Sequence, residues 1–194
     1  VFVTISPSRN GTLSSFATFS PMEWPPLPNS RLIVIIGYIR VTPFLVKLKV
    51  TLAILYKKMR DNSRKLVNFI YFNLSGVYDG KEPAVDLTDI HGTNCYLDDA
   101  AGAEIQKRID AMPGIPLVRF IDSGNYHYMS LFFMRKIKEP FTLLLLDNHP
   151  DTKTPVFGDI TSCGGWVREA CETIPNLNHV IMAGVDRKLI EEEQ

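Results

Sequence analysis

Cysteine is scarce in this chain: Cys95, Cys163 and Cys171 are the only three among 194 residues, and none is spaced C-x-x-C. An odd count without paired spacing gives poor support to a disulfide framework of the secreted type or to a structural zinc site. Reduced thiols in a cytoplasmic protein are the expectation. Long apolar runs are lacking too. The most apolar N-terminal stretch, residues 32–56, is broken by Arg40, Pro43, Lys47 and Lys49, which leaves residues 32–39 as its longest uncharged run. That is far below the roughly 18–20 residues needed to cross a bilayer, so a membrane is not an expected partner. The stretch also starts late, after a Pro-rich lead, and lacks the small-residue cleavage site of a signal peptide. Net charge is the third absence. With 21 Lys+Arg against 21 Asp+Glu, nucleic acid is not expected as the main partner.

What is present is unevenly distributed. Residues 1–58 carry seven basic side chains and one acid, Glu23, for a net +6; the remaining 14 basic and 20 acidic groups give residues 59–194 a net −6. Such asymmetry suggests two regions of different role or origin. Residues 1–30 are rich in Ser, Thr and Pro and read as extended, irregular chain. Residues 32–56 add β-branched runs without an amphipathic period. Residues 1–58 are therefore expected to be poorly ordered or extraneous, and dispensable for folding, with a domain beginning near Met59.

From there strand and helix patterns alternate. Residues 66–74 read as a strand, 98–112 as a helix stopped by Pro113-Gly114, and 117–121 as a short buried strand. Residues 128–138 read as a helix. Residues 141–146 form a continuous apolar run of the kind buried on both faces of a parallel sheet. Residues 165–173 suggest a helix and 179–184 a further strand. The alternation predicts an α/β domain with a mostly parallel sheet.

In such sheets ligands bind beyond the carboxyl ends of the strands, and two strand ends carry unusual polar groups. One is Asp122-Ser123-Gly124-Asn125-Tyr126-His127; the other is Asp147-Asn148-His149-Pro150-Asp151. In extended chain, residues two apart point the same way, so Asp147, His149 and Asp151 can project into one crevice, with His127 completing a shared site. Two carboxylates and imidazole suit Mn²⁺, Fe²⁺ or Zn²⁺. The competing reading is a plain loop in which Asp caps a turn and His is half exposed.

These two segments resemble the ureohydrolases, the arginase and agmatinase family, which place G-G-D-H-S after one strand and D-A-H-x-D after a following one. Gly124-Asn125-Tyr126-His127 is similar to the first, and Asp147-Asn148-His149-Pro150-Asp151 matches the second at its three metal-binding positions. The resemblance covers residues 66–194 and is strongest over 117–160. It implies a three-layer α/β/α fold and a two-metal centre, usually of manganese, with Zn²⁺ or Fe²⁺ as alternatives. His127 and Asp151 would bind one ion, His149 the other, and Asp147 would bridge both. It further implies hydrolysis of a C–N bond in a guanidino or amide-type small molecule by a metal-activated hydroxide, with a homo-oligomer left open.

The chain departs from that pattern in three places. The family's D-x-D after a later strand has no counterpart before Gln194, Asp186 standing alone; Asn125-Tyr126 replaces Gly-Asp; and no histidine falls between Asp151 and His179. These departures support an alternative, a truncated or non-catalytic arginase-fold binding module. A third reading makes residues 32–56 a membrane-association segment. Cys163 before Gly164-Gly165, His91, His179 and the basic cluster Lys57, Lys58, Arg60, Arg64 and Lys65 are read as structural or solvated groups.

Overall fold

In the computed structural model the described residues are 2–5, 31–36, 69–116, 118–156, 158–186 and 188–189. They form a mixed α/β fold with a parallel sheet. Its seven strands are β1 (Phe2–Ile5), β2 (Arg31–Ile36), β3 (Phe69–Asn73), β4 (Ala84–Asp86), β6 (Val118–Ile121), β7 (Phe141–Leu146) and β9 (Leu177–Ala183). They lie in the order β4-β3-β6-β1-β2-β7-β9. Every neighbouring pair in it is parallel. A separate antiparallel pair joins β5 (Tyr96–Leu97) to β8 (Thr161–Ser162).

Local chemistry accounts for the elements. β7 runs between Pro140 and Asp147, with five of its six residues buried, as a strand flanked on both sides must be. Helix α1 (Asp99–Asp110) starts where the Asp98 carboxylate accepts the Ala101 amide at 2.7 Å. An aspartate at this cap satisfies an amide that the helix itself leaves open. Ala101, Ile105 and Ile109, four apart, form its buried stripe, and Lys107 and Arg108 face the negative end of its dipole. Helix α2 (Met129–Met134) is shorter than expected. All six residues are buried, and the chain leaves it through tight turns, Lys136 N to Phe133 O and Ile137 N to Met134 O. Helix α3 is Trp166–Thr173.

The core gathers Phe72, Leu87, Ile105, Ile121, Leu143 and the fully buried Trp166. Arg119 on β6 is buried as well, with its guanidinium 4.6 Å from the centre of the Phe133 ring. Desolvation lowers its pKa to about 10, so it stays charged at neutral pH.

The N-terminal region differs from the sequence expectation. Phe2–Ile5 and Arg31–Ile36 are strands in the middle of the sheet, between β6 and β7. The rest of residues 1–58, the Met59 junction and the basic cluster lie outside the described residues, as do residues 37–56 of the apolar stretch. Among the described residues no helix is long and apolar enough to cross a membrane.

Candidate metal centre

β6 and β7 point their carboxyl ends to the same edge of the sheet but stand three positions apart, about 14 Å at ordinary strand spacing. Residues 122–127 close that gap. Asp122, the first of them, is fully buried and saturated. Its Oδ2 accepts the amides of Leu74 (3.0 Å) and Ser75 (2.7 Å). Its Oδ1 accepts the Ser75 hydroxyl (2.8 Å) and the Ser123 amide (2.7 Å). These bonds staple the end of β3 to the end of β6 and leave the carboxylate occupied. A 3-10 turn, Gly124–Tyr126, follows, and His127 is its C-cap.

His127 then meets the segment leaving β7. Its Nδ1 lies 3.2 Å from Asp147 Oδ2 and 3.3 Å from Asp151 Oδ2. The potential ligand atoms of the three residues all fall within 4.8 Å of one another, and all three residues are buried. Asp151 adopts a left-handed backbone, φ 54°, a conformation aspartate tolerates better than most residues. It is fixed by two contacts with α3: Trp166 Nε1 donates to its Oδ2 at 2.6 Å, and its carbonyl accepts the Val167 amide at 2.9 Å.

His149 stands apart. Its side chain is 57% exposed, with Nδ1 3.7 Å from Asp147 Oδ1, while its amide donates to that same oxygen at 3.2 Å. Of the four residues expected to bind metal, three converge and His149 lies beside them, facing solvent.

The buried group is short of hydrogen bonds. Asp147 Oδ2 is near Nδ1 but outside hydrogen-bond geometry with it, and among the described residues neither that oxygen nor His127 Nε2 has a partner. A buried carboxylate oxygen without a donor is costly, and a cation between the three side chains would satisfy it. The donor set, two carboxylates and one imidazole, fits a divalent ion of Mn²⁺, Fe²⁺ or Zn²⁺ character.

Protonation follows the same crowding. Burial alone would push the His127 imidazolium down, but the Asp151 hydrogen bond and the Asp147 and Asp151 charges outweigh it, and its pKa is raised. Asp147 is raised as well, mainly by burial and further by Asp151, against the pull of His127. Without a cation, His127 and Asp147 therefore hold protons more tightly than the free side chains do.

Sequence reasoning missed Trp166 and the space behind it. A Cβ on Gly165 would sit 2.6 Å from the Lys153 carbonyl and 3.0 Å from Ser162 Oγ. The loop after Asp151 packs directly on the start of α3, where the Lys153 amide donates to the Gly164 carbonyl at 2.9 Å. The Gly164-Gly165-Trp166 run was the signal: two glycines before an aromatic residue mark a close backbone approach.

No family model matches the chain, and no solved structure does. A similar curated protein is an uncharacterized protein of Thermotoga maritima, 32% identical over 71 residues, which are 37% of this chain and 28% of that protein. The matched stretch thus spans little more than a quarter of the relative's length.

Proposed function

We propose that this chain is a metal-dependent hydrolase of C–N bonds in guanidino or amide-type small molecules, with an arginase-like three-layer arrangement and manganese as its ion. The observation that carries the reading is the convergence of His127 Nδ1 with the Asp147 and Asp151 carboxylates, one buried oxygen of which lacks a donor among the described residues. The motif resemblance over residues 117–160 supplies the reaction class. His127, Asp147 and Asp151 would hold the ion, and Trp166 would keep Asp151 turned toward it. When bound, a divalent ion lowers the pKa of a coordinated water toward neutrality and so supplies a nucleophile at working pH. Burial of the three ligands excludes bulk water from their far sides and keeps the site's electrostatics strong.

Calorimetric titration of the folded chain with Mn²⁺ tests the binding step. Saturable binding is expected, and Asp147→Asn, which keeps the shape and removes the charge, is expected to abolish it. No saturable binding at millimolar metal in the folded chain overturns the proposal.

One observation favours the non-catalytic alternative: among the described residues only three protein ligands gather, and His149 is exposed. Ammonia or urea release from a panel of guanidino and amide compounds, with Mn²⁺ present, separates the two readings. A protein that binds Mn²⁺ and releases neither product is a binding module.

A further inference from the structure

Cys95 and Cys163 are distant in sequence and opposed in space. In the β5·β8 pair Tyr96 stands opposite Ser162 and Leu97 opposite Thr161, so the next pair outward is Cys95 with Cys163. The Cys163 amide donates to the Cys95 carbonyl at 2.8 Å. Cys95 has left the strand, with a left-handed φ of 65°, but this one backbone bond beside the Tyr96–Ser162 pair keeps the two backbones within reach of a disulfide, which spans roughly 4.4–6.8 Å between Cα atoms. Burial, and after it the nearby Cys95 thiol, raise the Cys163 thiol above its ordinary range. Both residues are half-buried, whereas Cys171 is exposed on α3.

This pair also lies on a seam. On the Cys95 side, the Thr93 carbonyl accepts the Tyr128 hydroxyl, and Asn94 Oδ1 accepts the Asn125 side-chain amide at 2.8 Å. Those bonds hold the segment that carries His127. On the Cys163 side, Gly164 binds Lys153 and Trp166 binds Asp151, which holds the segment after β7. A link between the two sulfurs would join the two supports of the buried cluster.

We propose that Cys95 and Cys163 form an oxidisable dithiol, a modification site that closes to an intramolecular disulfide when a low-molecular-weight disulfide is the oxidant. The Cys95 thiolate attacks one sulfur of the oxidant and expels its first half as a thiolate. Cys163, once deprotonated, attacks the Cys95 sulfur and expels the second half. One S–S bond is broken and one is made, and the two cysteine protons end on the two expelled thiols.

Peptide mapping of the full chain after exposure to glutathione disulfide, without metal, provides the test. The expected product is a Cys95–Cys163 linked peptide, with Cys171 free for alkylation or carrying glutathione. Cys163→Ser is expected to trap Cys95 as a mixed disulfide with glutathione. Recovery of Cys95 and Cys163 as separate alkylated or glutathionylated peptides, while Cys171 reacts, overturns the proposal. So does a link from either residue to Cys171. The cross-link needs no metal, so its failure and the failure of the metal reading are separate results.

Discussion

Trp166 donates one hydrogen bond to Asp151, and that bond decides which way a proposed ligand points. Residues that orient metal ligands typically matter by 10–100-fold in affinity. Trp166→Phe keeps the ring in the core and removes the donor, and we expect Mn²⁺ binding to weaken by about tenfold with the melting temperature little changed, as read by calorimetry and thermal denaturation. The protons on the cluster set a second expectation. Both His127 and Asp147 have raised pKa values in the metal-free fold, so the native chain binds protons more tightly than the unfolded chain there. The His127 contribution to stability is complete below its ordinary 6.5 and is lost as pH rises through its raised value; the Asp147 contribution behaves likewise above its ordinary 3.8. A divalent ion needs neutral imidazole and ionised carboxylates. Apparent Mn²⁺ affinity should therefore rise with pH through the His127 titration, and calorimetry in buffers of different ionisation enthalpy should show proton release. Affinity that falls with pH would contradict it. At this scale Asp147 and Asp151 were legible as candidates, since D-x-H-x-D after an apolar run is a local pattern, whereas the outward turn of His149 was not. The Trp166 bond was not, because a contact across 15 residues depends on where tertiary packing places the indole.

Elements were legible in proportion to the strength of their local signals. β7 was read with its bounds, because Pro140 and Asp147 frame an unbroken apolar run, and α1 to within two residues at each end, because its buried stripe is periodic. β4, β5 and β8, two or three residues each, are too short to show alternation. The helix after His127 was expected to run to residue 138; with six buried residues in a row it has no polar face whose period would mark its end. The start of α3 gives the test at this scale. Gly165→Ala places a methyl against the Lys153 carbonyl, backbone that cannot rotate aside, and overpacking of this kind costs about 1–3 kcal/mol. We expect a corresponding fall in unfolding free energy, together with weaker Mn²⁺ binding, because Asp151 and Lys153 share that loop. An alanine variant with unchanged stability and binding would show that the loop is free to shift.

For the whole molecule, the parallel α/β class was legible from alternation and the strand order was not, since pairing joins segments that no local pattern relates. β1 and β2 fill the space between β6 and β7, although their sequence neighbourhood gives no domain signal. A chain shortened to begin at Met59 loses both, which leaves β6 with β3 alone and β7 with β9 alone and splits the sheet in two. We expect it to lack a cooperative thermal transition by circular dichroism. A shortened chain that melts cooperatively would instead uphold the dispensability expected from the composition of residues 1–58.

The same strand order carries a kinetic consequence. Val3 pairs with Val118 and Arg31 with Phe141, so the centre of the sheet joins parts of the chain more than a hundred residues apart. Topologies dominated by such distant pairings have high contact order and fold slowly. On the ribosome, β1 and β2 emerge before β6 and β7 and must wait, outer edges unpaired, until those strands have been synthesised. The two central strands of this sheet are made well before the strands that close on either side of them.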